Sequence, residues 1–196
     1  MKNHKDKLII YIHGFGGSGK GTKATLFREH FKAQRVKYLA PSLSYVPDLA
    51  ISTVEEIIEG CEEKDIRLIG SSLGGFYSIY LSQKYNLKTI LINPATTASK
   101  NLESLIKNEG RATNFFDLSY FEFNRRHFEM LKRYRVEKST LNLENFLLML
   151  QKDDDIIDSS VAKELFDGAK MIIGDGGGHN FVGIDNYFEE IDKFLS

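Results

Sequence analysis

The segment Gly70-Ser71-Ser72-Leu73-Gly74 follows the apolar run Ile66-Arg67-Leu68-Ile69 and leads into a helical pattern from Phe76 onward. A strand that turns sharply into a helix carries the apex side chain in a strained conformation, and small residues two positions to either side keep such a turn free of clashes. Gly70 and Gly74 meet that need for Ser72; Ser71 would require glycines where Ile69 and Leu73 stand. A serine hydroxyl is a weak nucleophile at neutral pH, so the chain should also contain a base to take its proton and a carboxylate to orient that base.

The base candidate is His179, in the loop Gly174-Asp175-Gly176-Gly177-Gly178-His179-Asn180 that opens from the apolar run 171–173. His4 lies in the polar N-terminus, His30 and His127 fall in helical patterns, and His13 adjoins a first glycine loop, where it could help shape the backbone. The acid should come from Asp153-Asp154-Asp155-Ile156-Ile157-Asp158, just past the run 146–150. Asp154 is the first choice: the paired isoleucines should tuck under the sheet edge, and Asp158 then sits well as the N-cap of the next helix. Asp155 ranks second and Asp175 third.

The first glycine loop, His13-Gly14-Phe15-Gly16-Gly17-Ser18-Gly19-Lys20-Gly21-Thr22, admits two readings. Strand, glycine loop and helix form the setting of a phosphate-binding loop, and Gly14 with Gly19-Lys20 has Walker A spacing, which makes a nucleotide kinase the main rival. Gly21 stands where Ser or Thr should hold magnesium, and Arg28, Arg35 and Arg67, the arginines between this loop and Leu105, do not lie in kinase-like settings. On the other reading the loop supplies an oxyanion donor. The Phe15 amide would then join the Leu73 amide, which follows the nucleophile, and Lys20 would be solvated or a local anchor at the helix start. A third reading, a binding protein that keeps the pocket without turnover, is disfavoured by the intact Ser, Asp and His set.

These residues need a scaffold. Short apolar runs at 8–12, 36–40, 66–70, 89–92, 146–150 and 171–173 read as parallel strands buried on both faces. Segments with helical spacing lie at 22–34, 53–63, 74–84, 159–166 and 184–195. Strand and helix alternate, so an open sheet with helices on both faces is expected, with Ser72, Asp154 and His179 in the chain order Ser, acid, His at successive strand ends. Between Ala95 and Asn145 no strand is evident, while Phe115, Phe116, Tyr120, Phe121, Phe123 and Phe128 crowd together. This insertion should overhang the ligand crevice as a cap. The stretch 120–134 also carries Arg125, Arg126, Lys132 and Arg133, followed by Arg135; a helix with its aromatic side packed inward is favoured over a nucleic-acid surface.

Composition narrows the class. The 196 residues carry 26 Lys and Arg against 27 Asp and Glu, a net charge of −1, with 42% hydrophobic and 27% charged residues. That balance fits one globular domain over 1–196 and argues against disorder and polybasic nucleic-acid binding. The single cysteine, Cys61, has no intramolecular disulfide partner and reads as a small hydrophobe on a helix. The apolar run after the charged N-terminus is too short for a signal core or membrane span, so a cytoplasmic address is expected, with no membrane partner. Self-association is not legible.

Taken in order, His13-Gly14-Phe15, Gly70-Ser71-Ser72-Leu73-Gly74-Gly75, Asn93-Pro94-Ala95, Asp154-Asp155-Ile156-Ile157-Asp158 and Gly178-His179-Asn180-Phe181 resemble the YqiA-type bacterial esterases. The resemblance runs from the first strand to the final helix and is weakest between Thr96 and Asn145. It implies a small three-layer α/β-hydrolase fold with a mostly parallel sheet and a small helical insertion after the fourth strand, about 96–145. It further implies a cofactor-free Ser-Asp-His hydrolase of short acyl esters or thioesters, with Ser72, Asp154 and His179 on the catalytic positions. The segment Gly16-Gly17-Ser18-Gly19 departs from the family, which usually has serines and a proline there. The basic residue and second proline often found after Asn-Pro-Ala are also absent, so the family's substrate preferences do not carry over.

Overall fold

The computed structural model describes residues 6–97 and 110–196. His4 and residues 98–109 of the expected insertion lie outside them. The strands are β1 (Lys7–Ile12), β2 (Lys37–Leu39), β3 (Asp65–Ser71), β4 (Lys88–Ile92), β5 (Arg111–Thr113), β6 (Tyr120–Glu122), β7 (Phe146–Gln151) and β8 (Lys170–Gly174). The helices are α1 (Thr22–Ala33), α2 (Pro47–Gly60), α3 (Leu73–Tyr85), α4 (Arg125–Lys132), α5 (Ser159–Leu165) and α6 (Phe188–Leu195), with a 3₁₀ turn at Ile184–Tyr187 before the last.

Among the described residues six strands form one sheet in the order β2-β1-β3-β4-β7-β8, every neighbouring pair parallel. The side-chain period of two in a strand divides β1 cleanly. Leu8, Ile10 and Ile12 pack with α2 and α3, whereas Ile9 and Tyr11 pack with α1 and α6. Helix α5 covers Leu148 and Leu150 of β7, completing three layers. The chain passes from β1 to β2 on one side and returns to β3 on the other, so the loops after β1 and β3 open around a switch point at the strands' C-terminal ends. That is where α/β sheets place their ligands.

Four expectations need correction. β2 is shorter than 36–40 and half-exposed rather than buried on both faces, because it is an edge strand covered on one side only. β8, at the other sheet edge, is partly exposed along 171–173 rather than buried on both faces. Helix α2 starts at Pro47, not at 53: proline at the first helical position loses no hydrogen bond and has its φ preset. The insertion is not simply helical. β5 and β6 form an antiparallel hairpin with Ala112 opposite Phe121, and α4 follows behind a capping box of Asn124 and His127.

In this hairpin Phe121 and Phe123 point inward and are buried, while Tyr120 and Glu122 point out. Helix α4 therefore begins five residues after Tyr120. Among its charges, Lys132 pairs with Glu129 at 2.7 Å, and Arg133, just past its end, pairs with Asp48 at 2.7 Å. The hairpin lies on the loop after β1, where the Phe115 amide donates to Gly16 O at 2.7 Å. Cys61 caps the end of α2, half-buried, as its helical setting suggested. Among the described residues no helix is long and apolar enough to cross a membrane.

Candidate active site

Ser72 is the single residue between the end of β3 and the start of α3, with φ 55° and ψ −121°. A non-glycine residue there is strained and persists only where its surroundings hold it. They do: its amide donates to Ile92 O at 3.0 Å, and its carbonyl accepts from the amides of Gly75 at 2.9 Å and Ala95 at 3.0 Å. The flanking glycines are sterically required. A Cβ at Gly74 would fall 2.0 Å from the Ile12 carbonyl oxygen, and one at Gly70 would fall 2.5 Å from that of Gly74.

The loop after β8 brings His179 to this apex, with Nε2 3.0 Å from Ser72 Oγ. On the other side of the ring, Nδ1 lies 2.9 Å from Asp154 Oδ2. A carboxylate can only accept, so Nδ1 carries the proton and the Nε2 lone pair faces the serine hydroxyl. Asp154 also accepts from the amides of Ile156 and Ile157, each at 2.9 Å. Burial opposes ionisation of Asp154, yet the hydrogen bonds from His179 and from these two amides outweigh it and hold the carboxyl below the usual carboxylate range.

The neighbouring acids do other work. Asp155 is exposed, Asp175 lies 3.7 Å from Lys152 at the surface, and Asp158 caps α5 by accepting from the Ser160 amide at 2.8 Å. Of the paired isoleucines Ile157 is buried, whereas Ile156 stays half-exposed.

The sequence offered no local signal for what fixes the His179 loop. Asn93, buried with φ 41°, donates from Nδ2 to Gly178 O at 3.0 Å and His179 O at 3.1 Å, while its Oδ1 accepts from the Gln151 amide at 2.9 Å. Asp153 accepts from the amides of Gly176 at 3.1 Å and Gly178 at 3.0 Å, and the Gln151 side chain accepts from that of Gly177 at 3.3 Å. From α1, Lys23 Nζ donates to Asn180 O at 2.7 Å. Burial pushes this ammonium down to about 8, with the negative charge of Asp154 opposing the shift.

The loop after β1 closes the other side of Ser72. A Cβ at Gly14 would meet the Ser72 Cβ at 3.0 Å, which is why the backbone can approach the hydroxyl so closely there. His13 shapes this loop: Nδ1 lies 2.9 Å from Gly14 O, and Nε2 accepts from the Leu43 amide at 2.9 Å. With one nitrogen donating and the other accepting, the ring is neutral, and burial holds its pKa below the ordinary imidazole value although the Gly14 bond opposes this. Among the described residues the amides of Phe15 and Leu73 have no protein acceptor. The amides a phosphate would need are occupied instead: Gly17 donates to Gly14 O at 3.0 Å, Gly19 to Ser42 Oγ at 3.2 Å, Lys20 to Ser18 Oγ at 3.1 Å and Gly21 to Ser18 O at 3.0 Å. Lys20 itself is exposed.

Residues 8–196 match the model of the uncharacterised protein family UPF0227. The chain belongs to UPF0227. This agrees with the YqiA-type resemblance carried by its motifs. A UPF0227 protein of Vibrio campbellii is 22% identical over 191 residues, covering 95% of this chain and 98% of its own, and one of Pectobacterium atrosepticum shows the same identity and coverage.

Among solved structures, this UPF0227 chain is similar to Est1E of Butyrivibrio proteoclasticus bound to ferulic acid, with TM-score 0.73, 15% identity, and 99% and 90% of the two chains covered. It is also similar to the esterase domain of a Rhodothermus marinus protein, with TM-score 0.71, 18% identity, and 96% and 85% covered. At such identities the likeness establishes the α/β-hydrolase fold of this UPF0227 member and leaves its chemistry to its own residues.

Proposed function

We propose that this protein is a serine hydrolase that cleaves short acyl esters or thioesters through an acyl-enzyme on Ser72, using a Ser72-His179-Asp154 triad. The observation that carries the reading is the unbroken line of contacts from Ser72 Oγ to His179 Nε2 at 3.0 Å and from His179 Nδ1 to Asp154 at 2.9 Å. His179 Nε2 takes the hydroxyl proton as Oγ bonds to the acyl carbon. The oxyanion is received by the free amides of Phe15 and Leu73, and the buried Asp154 carboxylate stabilises the imidazolium. Collapse breaks the bond to the leaving group, which departs with the proton from Nε2. Water then attacks the acyl-serine, giving a proton to His179, and Ser72 recovers that proton as the acid leaves. The likeness of the fold to esterases supports an ester or thioester carbonyl, and the hairpin over the loop after β1 suits a cap on the bound substrate.

The test is covalent labelling with a fluorophosphonate, read by intact mass and peptide mapping, beside hydrolysis of p-nitrophenyl acetate and butyrate. One label per chain at Ser72 is expected. Ser72→Ala should abolish it, and Ser72→Ala and His179→Ala should each lower kcat by on the order of a million-fold. A wild-type protein that takes up no label, or a Ser72→Ala variant as active as the parent, would refute the reading.

A further inference from the structure

A narrow slot opens beside Ser72, walled by Phe15 from the loop after β1, Leu43 and Tyr45 from the loop after β2, Leu73 and Tyr77 of α3, and Phe121 of the hairpin. Gly14, where an added Cβ would meet the Ser72 Cβ at 3.0 Å, also lines it and brings it beside the nucleophile. We propose that this slot is the acyl-binding subsite and that Tyr45 sets the length of acyl chain it accepts. The assignment rests on the serine-hydrolase reading above.

Direction is the first argument. The leaving group takes its proton from His179 Nε2 and so must lie on the His179 side of the tetrahedral carbon. No wall of the slot comes from the loops after β7 or β8 that carry Asp154 and His179. The slot is lined by Phe15 and Leu73, whose amides the hydrolase reading gives to the oxyanion, so on that reading the acyl half of the substrate points into it. Its lining is mainly aromatic and aliphatic, which suits a hydrocarbon chain.

Size is the second argument. The slot has room for about one or two water molecules, enough for the first carbons of an acyl chain and too little for a long one. Leu43, Leu73, Tyr77 and Phe121 are buried in the core and Phe15 is partly buried, whereas Tyr45 is 38% exposed. The Tyr45 ring stacks on Phe121, with centroids 3.8 Å apart and planes 10° from parallel, and among the described residues its hydroxyl is held only by a long 3.4 Å contact from Asn114 Nδ2. Phe121 is braced from another direction by the edge of Phe15, centroids 5.3 Å apart. A longer chain must therefore displace Tyr45, the most exposed of the large walls.

The experiment compares kcat/KM on p-nitrophenyl acetate, butyrate, hexanoate and octanoate for wild type, Tyr45→Ala and Tyr45→Phe, with fluorophosphonate labelling of each. Wild type should lose at least about tenfold between butyrate and octanoate, since misfit in an apolar pocket is worth that much per carbon or two. Tyr45→Ala should remove most of that loss, and Tyr45→Phe, which keeps the ring, should retain it. If wild type prefers octanoate, or if Tyr45→Ala still labels at Ser72 with an unchanged chain-length profile, the slot assignment falls while the hydrolase reading stands. A wild-type protein that neither labels nor turns over removes the hydrolase reading and this assignment with it.

Discussion

Replacing Asn93 tests whether the His179 loop must be held for turnover. The alanine variant loses three side-chain hydrogen bonds: two donated to Gly178 O and His179 O, and one accepted from the Gln151 amide. Gly178 and His179 are partly exposed, so water should replace the bonds to their carbonyls, but the Gln151 amide sits in a residue only 2% exposed and would be orphaned, at about 1–3 kcal/mol. Alanine at φ 41° adds about 1 kcal/mol, because a Cβ crowds the following carbonyl in the left-handed region where asparagine is tolerated. The expected loss is thus about 2–4 kcal/mol, or roughly 5–15 °C in Tm for a domain of this size. Activity should fall further than stability implies. A His179 Nε2 that wanders by about 1 Å from its position 3.0 Å from Ser72 Oγ costs on the order of a hundredfold in kcat, with KM little changed. Asn93→Gly separates the two effects: it relieves the left-handed strain and recovers part of the Tm, yet supplies no donor and should recover none of the kcat. Thermal unfolding and p-nitrophenyl butyrate kinetics on the three proteins decide the matter. If kcat in the glycine variant returns in step with Tm, or if the folded alanine variant stays within threefold of wild type, Asn93 does not position His179.

Two further outcomes follow from the same geometry. The buried neutral ring of His13 resists protonation, so as pH falls below about 6.5 the unfolded chain takes up a proton that the folded chain refuses, and stability declines until the lowered folded pKa is passed; denaturant unfolding between pH 5 and 8 should show this slope in wild type and a shallower one in His13→Gln. Gly74→Ala should fail to fold or lose more than about 3 kcal/mol, because its Cβ meets the Ile12 carbonyl oxygen at 2.0 Å, whereas Gly60→Ala, at the end of α2 with nothing within 4 Å, should gain about 0.5–1 kcal/mol in the same assay.

What could be read in the chain follows from how locally each feature is encoded. β1, β3, β4 and β7 are central strands with helices on both faces, so their sequences are near-continuous apolar runs. The edge strands β2 and β8 are partly exposed, and the same rule overstated the burial of both. The Ser72 turn was legible because backbone crowding dictates glycine at fixed offsets. The hairpin was not: its strands are three residues each, and Phe115, Phe116, Leu118 and Tyr120 stand exposed, so apolar character there does not report burial. The alternation Tyr120-Phe121-Glu122-Phe123 was the available signal, but it is too short to outweigh the helical pattern beyond it.

The residues that hold the His179 loop were missed for a different reason. Asn93 reaches partners 58, 85 and 86 positions away, and Lys23 reaches one 157 positions away, so no window of sequence contains both ends of any of these contacts. Asp153 and Asp154 make the point more sharply. They are adjacent, chemically identical, and both just past the end of β7, yet one accepts from two glycine amides and the other from an imidazole. Successive residues leaving a strand project in different directions, so the division of labour is set by the path of the loop after β8 over β7. It is also set by Asn93 at the end of β4, which ties that loop to the Gln151 amide. The parallel order β4-β7-β8 brings all these strand ends to one rim, and only there does the distinction between two neighbouring carboxylates acquire a physical cause.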